Sequence, residues 1–393
     1  MSRTIAFCLT TRSQYARVKT ALTEIDNNPD LNLEILLTGA GVVRKYGSLR
    51  SILESDGLDV SRTVQNVVEG GNLASQSKTT GLAMVETTTW LREVDPDVVM
   101  ITGDRHEIMA ITLPASYLNV PIVHLEGGEI TGSVDDKVRH ATTKFSDYHF
   151  VSTERASKVI HRLGEDRDRI FQTGCPSIDI ADAVVRDGDE EYDPQDERGV
   201  GANLDVTKDF IIVQYHPVPT EYGDQYEKTW KIIDAVDRID VQKFWFWPNM
   251  DGGTDMVSKA MREFRDKRDP DDIHFLINLP PEEYLTLVNN SVCMVGNSSV
   301  GIRECSYFGK PTVNIGDRQQ FRERADNVTD VDCEEDAIHD AVVDELGESY
   351  SPSTLYGDSG AGERIAELIA ELDIEQKGSM EPAALGLVSE VVN

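Results

Sequence analysis

Short apolar runs, each ending in small, turn-prone or charged residues, recur along the whole chain and are separated by stretches with helix-compatible spacing. In the first half they are "TIAFCLT", "LEILLTG", "DVVMITGD", "PIVHLEGG", "YHFVST" and "RIFQTG". In the second half they are "FIIVQYHP", "KFWFWPN", "IHFLINLP", "VCMVGNSS" and "PTVNIGDR". Runs this uniformly apolar belong to strands buried on both faces, and their alternation with helices means a parallel sheet covered on each side. The sequence therefore predicts an α/β chain of two Rossmann-like, doubly wound domains facing a central cleft. The charged, aperiodic stretch 183–209 predicts a linker or exposed excursion. It separates a first domain over 1–182 from a second over 210–360. The amphipathic segment 361–376 is expected to cross back onto the first domain, and 377–393 to form a disordered tail.

Composition narrows the function. At 393 residues the chain suits two ordinary domains, each with its own core. The net charge of −32 repels nucleic acid and anionic membranes, so neither is expected as a partner. A hydrophobic share of 39%, gathered in strand-like runs, argues against a disordered acidic protein. Arginine outnumbers lysine, and lysine scarcity with acidic excess resembles proteins of salt-loving organisms, where salt screens the repulsion. The five cysteines are scattered without a CxxC pair or Cys/His cluster, so no metal site is expected. Cys8 and Cys293 lie inside apolar runs and read as buried thiols. The chain shows no basic-apolar leader and no bilayer-length apolar run, which predicts a cytoplasmic protein.

Ligands in doubly wound sheets sit beyond the carboxyl ends of the strands, and the unusual residues fall there. Asp104, Glu126, Glu129, Asp135 and Asp136 concentrate near strand ends of the first domain. Each alone reads as solvated surface charge; as a group they read as carboxylates that raise one another's pKa and divide into proton donors and acceptors. Arg12, Arg105 and Arg318 occupy equivalent strand ends, where they could clamp a diphosphate. His216, after "VQY", is either structural or part of the cleft. In "GNSSVGIREC", residues 296–305, Asn297, Ser298 and Ser299 are helix N-cap types. The stretch is then either a well-capped helix or an anion site, with Glu304 about 7–8 Å further along to take a sugar's two hydroxyls. Neither GxGxxG after the first strand, GxxxxGK[ST] nor GxSxG occurs, which argues against nicotinamide, P-loop and serine-hydrolase chemistry.

These strings, with "TRSQY", "GDRHE", "HLEGGEITGSVDDKVRHATTK", "LGED", "GCPSID", "FGKP" and "NIGDRQ", resemble the hydrolysing UDP-N-acetylglucosamine 2-epimerases over about residues 4 to 332. The resemblance implies the two-domain architecture of many nucleotide-sugar glycosyltransferases. It implies that Arg12 and Arg105 help hold the UDP diphosphate, that His216, Ser298, Ser299 and Arg318 belong to the same nucleotide site with the serines on phosphate, and that Glu304 binds the ribose. It further implies that Asp104, Glu126 and Asp135 carry proton transfer, with no cofactor, and that the chain assembles as a homodimer or homotetramer. The implied reaction takes UDP-N-acetylglucosamine and water to UDP and N-acetylmannosamine through a glycal. One position departs: relatives usually have a histidine where "TGAGVV" has Gly41. Gly41 is either a turn glycine with positive φ or a gap that enlarges the sugar end of the cleft. The alternatives are the same chemistry on a 2,4-diacetamido-trideoxy UDP-sugar, a glycosyltransferase of the same architecture, and an inactive nucleotide-sugar binder.

Overall fold

The computed structural model describes residues 2–43, 49–69, 72–189, 191–195, 199–218, 223–249 and 251–374. The first domain contains strands β1 (Arg3–Leu9), β2 (Leu31–Leu37), β3 (Arg62–Thr63), β4 (Val98–Thr102), β5 (Ile122–Leu125), β6 (Tyr148–Val151) and β7 (Ile170–Gln172). They form one parallel sheet in the order β3-β2-β1-β4-β5-β6-β7. Its helices are α1 (Arg12–Asn27), α2 (Leu49–Ser55), α3 (Leu73–Val94), α4 (Met109–Tyr117), α5 (Asp135–Phe145), α6 (Glu154–Arg162) and α7 (Pro176–Asp187).

Strand alternation decides the layers. On β1, Ile5, Phe7 and Leu9 pack on one side with Tyr15, Val18, Leu22 and Ile25 of α1. Ala6 and Cys8 face the other side, with Trp90 of α3 and Ile111 of α4. Burying each large apolar side chain of such a layer stabilises the fold by about 1.5–3 kcal/mol. Helix ends follow local chemistry: Thr11 accepts from the Gln14 N–H at 3.1 Å to start α1, and Asn72 and Ser75 cap α3 reciprocally.

The second domain contains β8 (Gly199–Gly201), β9 (Phe210–Gln214), β10 (Gln242–Phe246), β11 (Ile273–Leu276), β12 (Cys293–Gly296), β13 (Thr312–Ile315) and β14 (Val328–Val331). Their order is β14-β13-β12-β9-β10-β11-β8, parallel except for β8. Its helices are α8 (Gln225–Asp237), α9 (Thr254–Arg268), α10 (Pro281–Asn290), α11 (Ser299–Ile302), α12 (Glu304–Phe308) and α13 (Glu335–Glu345). A last helix, α14 (Ala361–Glu371), lies against α1 and places Ile365, Ala366 and Ile369 in the first domain's core.

Part of the stretch 183–209, expected as a linker or exposed excursion, carries regular structure. Its first residues complete α7, β8 adds antiparallel to the edge strand β11, and Leu204 is buried with Phe210 and Phe244. Polar sequence hid a three-residue edge strand, because an edge needs no continuous apolar run. The tail expected over 377–393, and residues 375–376 before it, lie outside the described residues. Cys8 and Cys293 are buried and free, as their apolar runs predict.

Candidate active site

Strand order reverses between β1 and β4 in the first sheet and between β9 and β12 in the second. The crevice beyond these switch points is where doubly wound sheets bind ligands. The segments leaving those strands carry Thr10–Arg12, Asp104–Arg105, Tyr215–His216 and Asn297–Ser299. Glu126 leaves the neighbouring β5 at φ 58°, a left-handed conformation uncommon for any side chain but glycine. Gly128, at φ 81°, continues that turn; a Cβ there would come within 2.3 Å of the Ala156 carbonyl oxygen on α6. The loop 126–132 is thereby pressed against α6 and presents Glu126 and Glu129 to the other domain.

Both carboxylates meet arginines. Glu126 is bonded by Arg17 of α1, by Arg303 Nη1 at 3.3 Å, and by the Cys175 thiol, which donates to Oε1 at 2.9 Å. Burial alone would raise its pKa, but Arg17 and Arg303 override it and hold the carboxyl below its usual range. Cys175 is itself pushed well up, by burial first and then by Glu126, so it remains a neutral S–H donor. Glu129 receives Arg303 Nη2 at 2.8 Å and Arg322 Nη1 at 2.6 Å. Against its burial, Arg303 and Arg322 bring it down to about 2. Asp104 pairs with Arg139, and Arg322 lies 3.7 Å away; against burial these guanidiniums hold it ionised, far below the usual carboxylate range.

Asp135, the first residue of α5, behaves differently. Its carboxylate accepts from Ser133 Oγ at 3.2 Å. Burial first, then Asp104 and Asp251, push it up to about 6 against Arg318 and Arg105. The cleft thus holds firmly ionised acceptors beside one carboxyl that titrates just below neutrality, a separation suited to acid–base chemistry. Asp136 braces the loop instead, accepting from the Thr131 and Gly132 N–H groups at 3.0 and 2.8 Å.

The side of the cleft built on the β9 and β12 ends is equally organised. Asn297 locks the β9 and β12 ends together, accepting from the His216 N–H and donating to its carbonyl, both at 2.8 Å. His216 accepts from the Asn249 N–H at Nδ1, 3.3 Å, which leaves Nε2 as its donor. Burial first, then Arg318 and Arg105, keep the ring neutral. Arg318 donates to the Asn297 carbonyl at 3.0 Å. Arg105 bonds Glu107 at 3.0 Å and also Asp251 of the other domain. Arg12 opens α1 directly beyond the first switch point.

The serine motif departs from a single helix. Ser298 caps a four-residue helix, the helix is interrupted at Arg303, and Glu304 starts a second helix that ends at Gly309. Glu304 is therefore not reached along one continuous helix. It is buried, bonded by Ser177 on α7, and raised by burial against the pull of Arg303. Its Oε2 has no hydrogen-bond partner.

Gly41 is corrected on both readings. The positive φ belongs to Gly39, at 58°, and not to Gly41. A Cβ on Gly41 would meet Leu37 Cδ1 at 2.9 Å and Leu49 Cδ2 at 3.2 Å, so the position faces core side chains rather than open cleft.

Arg17, Arg139, Arg303, Arg322, Cys175 and Asp251 escaped sequence reasoning, although Arg139, Arg303 and Cys175 stand inside the quoted motifs. Among the described residues, no group of three or more His, Cys, Asp or Glu is arranged to hold a metal, and no helix is long and apolar enough to cross a membrane.

The pattern of UDP-N-acetylglucosamine 2-epimerases matches residues 23–370. The chain belongs to the UDP-N-acetylglucosamine 2-epimerase family. This family member is 32% identical over 378 residues to a UDP-N,N'-diacetylbacillosamine 2-epimerase (hydrolyzing) of Legionella pneumophila, covering 96% of this chain and 98% of that one. It is 29% identical over 380 residues to a UDP-N-acetylglucosamine 2-epimerase of Neisseria meningitidis, with 92% and 94% covered. Among solved structures, the Neisseria meningitidis UDP-GlcNAc 2-epimerase bound to UDP-GlcNAc superposes with TM-score 0.76 at 17% identity, over 95% of this chain and all of the other. The Methanocaldococcus jannaschii UDP-GlcNAc 2-epimerase in complex with UDP-GlcNAc and UDP gives TM-score 0.73 at 18% identity, over 93% and 99%. These likenesses fix the fold as the two-domain epimerase architecture.

Proposed function

We propose that this epimerase-family protein is a hydrolysing 2-epimerase of a UDP-linked 2-acetamido sugar. The observation that carries the reading is the divided acid set: Asp104 and Glu126 held ionised by arginines, and Asp135 raised to about 6 beside them. UDP leaves C1 as a carboxylate takes the C2 proton, giving a glycal. Water then adds its hydroxyl at C1, and C2 regains a proton on the opposite face. The C2 proton is a poor acid, so a fixed base and exclusion of bulk water are both needed. Asp104 and Glu126 are the ionised acceptors, and Asp135 is the donor.

On the UDP side, Arg12, Arg105, Arg318, His216 through Nε2, and the Ser298 and Ser299 hydroxyls hold the diphosphate. Glu304 takes the ribose hydroxyls; its unpartnered Oε2 supports that role. For the sugar, the Legionella pneumophila relative favours a 2,4-diacetamido-trideoxy UDP-sugar. UDP-N-acetylglucosamine is the second reading, favoured by the Neisseria meningitidis relative.

Proton NMR of the reaction in D2O, run with each sugar, tests this. The expected products are free UDP and an inverted sugar with deuterium at C2, formed faster from the diacetamido substrate. A product that retains UDP, or turnover of neither sugar, overturns the reading.

A further inference from the structure

Arg303 occupies the break between α11 and α12, at φ −100° and ψ −71°. Its side chain is fully buried, yet it belongs to the second domain and its fork ends on two carboxylates of the first. One prong reaches Glu126 Oε1 and the other Glu129 Oε2, while the guanidinium carbon lies 5.8 Å from the Tyr356 ring centre. Glu126 keeps Arg17 and Cys175 from its own domain, but both cations on Glu129 come from the second.

We infer that Arg303 is a positioning residue that ties the placement of Glu126 and Glu129 to the segment carrying Ser298, Ser299 and Glu304. This rests on the reading of that segment as the nucleotide site. A buried guanidinium without partners is costly by several kcal/mol, so the side chain favours the arrangement in which both carboxylates are present. A planar fork can bridge two acceptors in fixed directions, which a lysine ammonium cannot. The nucleotide segment and the acid loop therefore move as one unit. Withdrawal of α11 and α12 would leave Glu129 with Arg322 alone and Glu126 held from one side. The charged and titratable groups facing Glu126 are Arg17 from α1, Cys175 at the start of α7, Arg303 and Glu304 from the helix break, and Glu129 from its own loop.

The test compares Arg303→Met and Arg303→Lys with the wild type. In Arg303→Met, calorimetric affinity for UDP should stay within about threefold, while kcat at saturating UDP-sugar falls about a hundredfold or more. The acid limb of the kcat pH profile should move to higher pH, because a carboxylate relieved of its guanidinium binds protons more readily. In ligand-free protein, amide exchange over 126–132 should speed up about tenfold or more. Arg303→Lys should fall between the two on each measure. If Arg303→Met does not fold, adding Glu129→Gln removes one of the two carboxylates left short of a partner and allows the same comparison. Loss of UDP affinity with normal kcat would make Arg303 a nucleotide ligand and overturn the inference. Unmoved exchange rates and an unmoved acid limb would overturn it as well. If the wild type itself does not bind UDP, the functional reading fails, and the exchange comparison still decides the role of Arg303.

Discussion

Asp135 makes two demands on the protein. The unfolded chain releases its proton near 3.8 and the folded one at about 6, so folding takes up a proton between those values. The stability tied to this group is present below the lower value and lost as pH rises through the upper one. Asp135→Asn should therefore cut kcat about a hundredfold or more. It should also raise the melting temperature of the first domain at pH 8 by roughly 2–4 °C, the yield of about 1 kcal/mol in a domain of roughly 150–250 residues, with no gain near pH 4. A melting temperature lowered at both pH values would mean that the carboxylate is a structural partner. Glu304→Ala should raise KM much more than it lowers kcat, since a ribose contact is made equally before and at the transition state. Steady-state kinetics at saturating substrate separates the outcomes, and a collapse of kcat alone would reverse the assignment. At this scale the acids were legible because strand-end carboxylates stand out in sequence. Their arginine partners were not: Arg303 lies 177 residues from Glu126, and no local pattern announces a partner at that distance.

Strand runs were legible because a strand buried on both faces must be apolar throughout. What could not be read was the shape of the joins. The helix break at Arg303 follows no proline or glycine at that residue; it coincides with a side chain drawn across the cleft by two carboxylates. At the turn after β2 the sequence "TGAG" suggested a left-handed glycine, and the chain placed that conformation at Gly39, where Asn66 Oδ1 accepts the Gly39 N–H at 2.9 Å. Gly41 instead sits in a 3-10 turn with its N–H donated to the Thr10 carbonyl at 2.7 Å. Gly41→His should accordingly destabilise the first domain by about 1–3 kcal/mol, the usual cost of overpacking. Thermal denaturation measures that loss. A stable variant with an altered kcat/KM ratio between the two sugars would show that the position reaches the substrate after all.

The two-domain architecture as a whole was readable from rhythm alone, yet rhythm says nothing of how the domains meet. They meet through apolar packing, with Ile180, Ala181 and Val184 of α7 against Leu285 and Tyr307, and through charge, with Arg303 and Arg322 on Glu129 and Arg105 on Asp251. These pairs are buried or half-buried, where salt screens weakly. The surface is the opposite case, because a net charge of −32 is spread largely over solvated carboxylates. Its self-repulsion opposes the compact state over a Debye length of about 10 Å at 0.1 M salt and only about 3 Å at 1 M. Salt should therefore strengthen the molecule from outside while leaving the cleft largely as it is. The melting temperature should climb steadily in KCl between about 0.05 and 2 M, with kcat rising as the folded fraction rises. Over the same range, the ratio of kcat between wild type and Arg303→Met should hold nearly constant, since that pair is shielded from the ions. Equal melting temperature and equal kcat at both ends of the range would mean that the acid coat carries no salt requirement. A ratio that shrinks with salt would mean that water and ions reach Arg303, and that the cleft is open in solution.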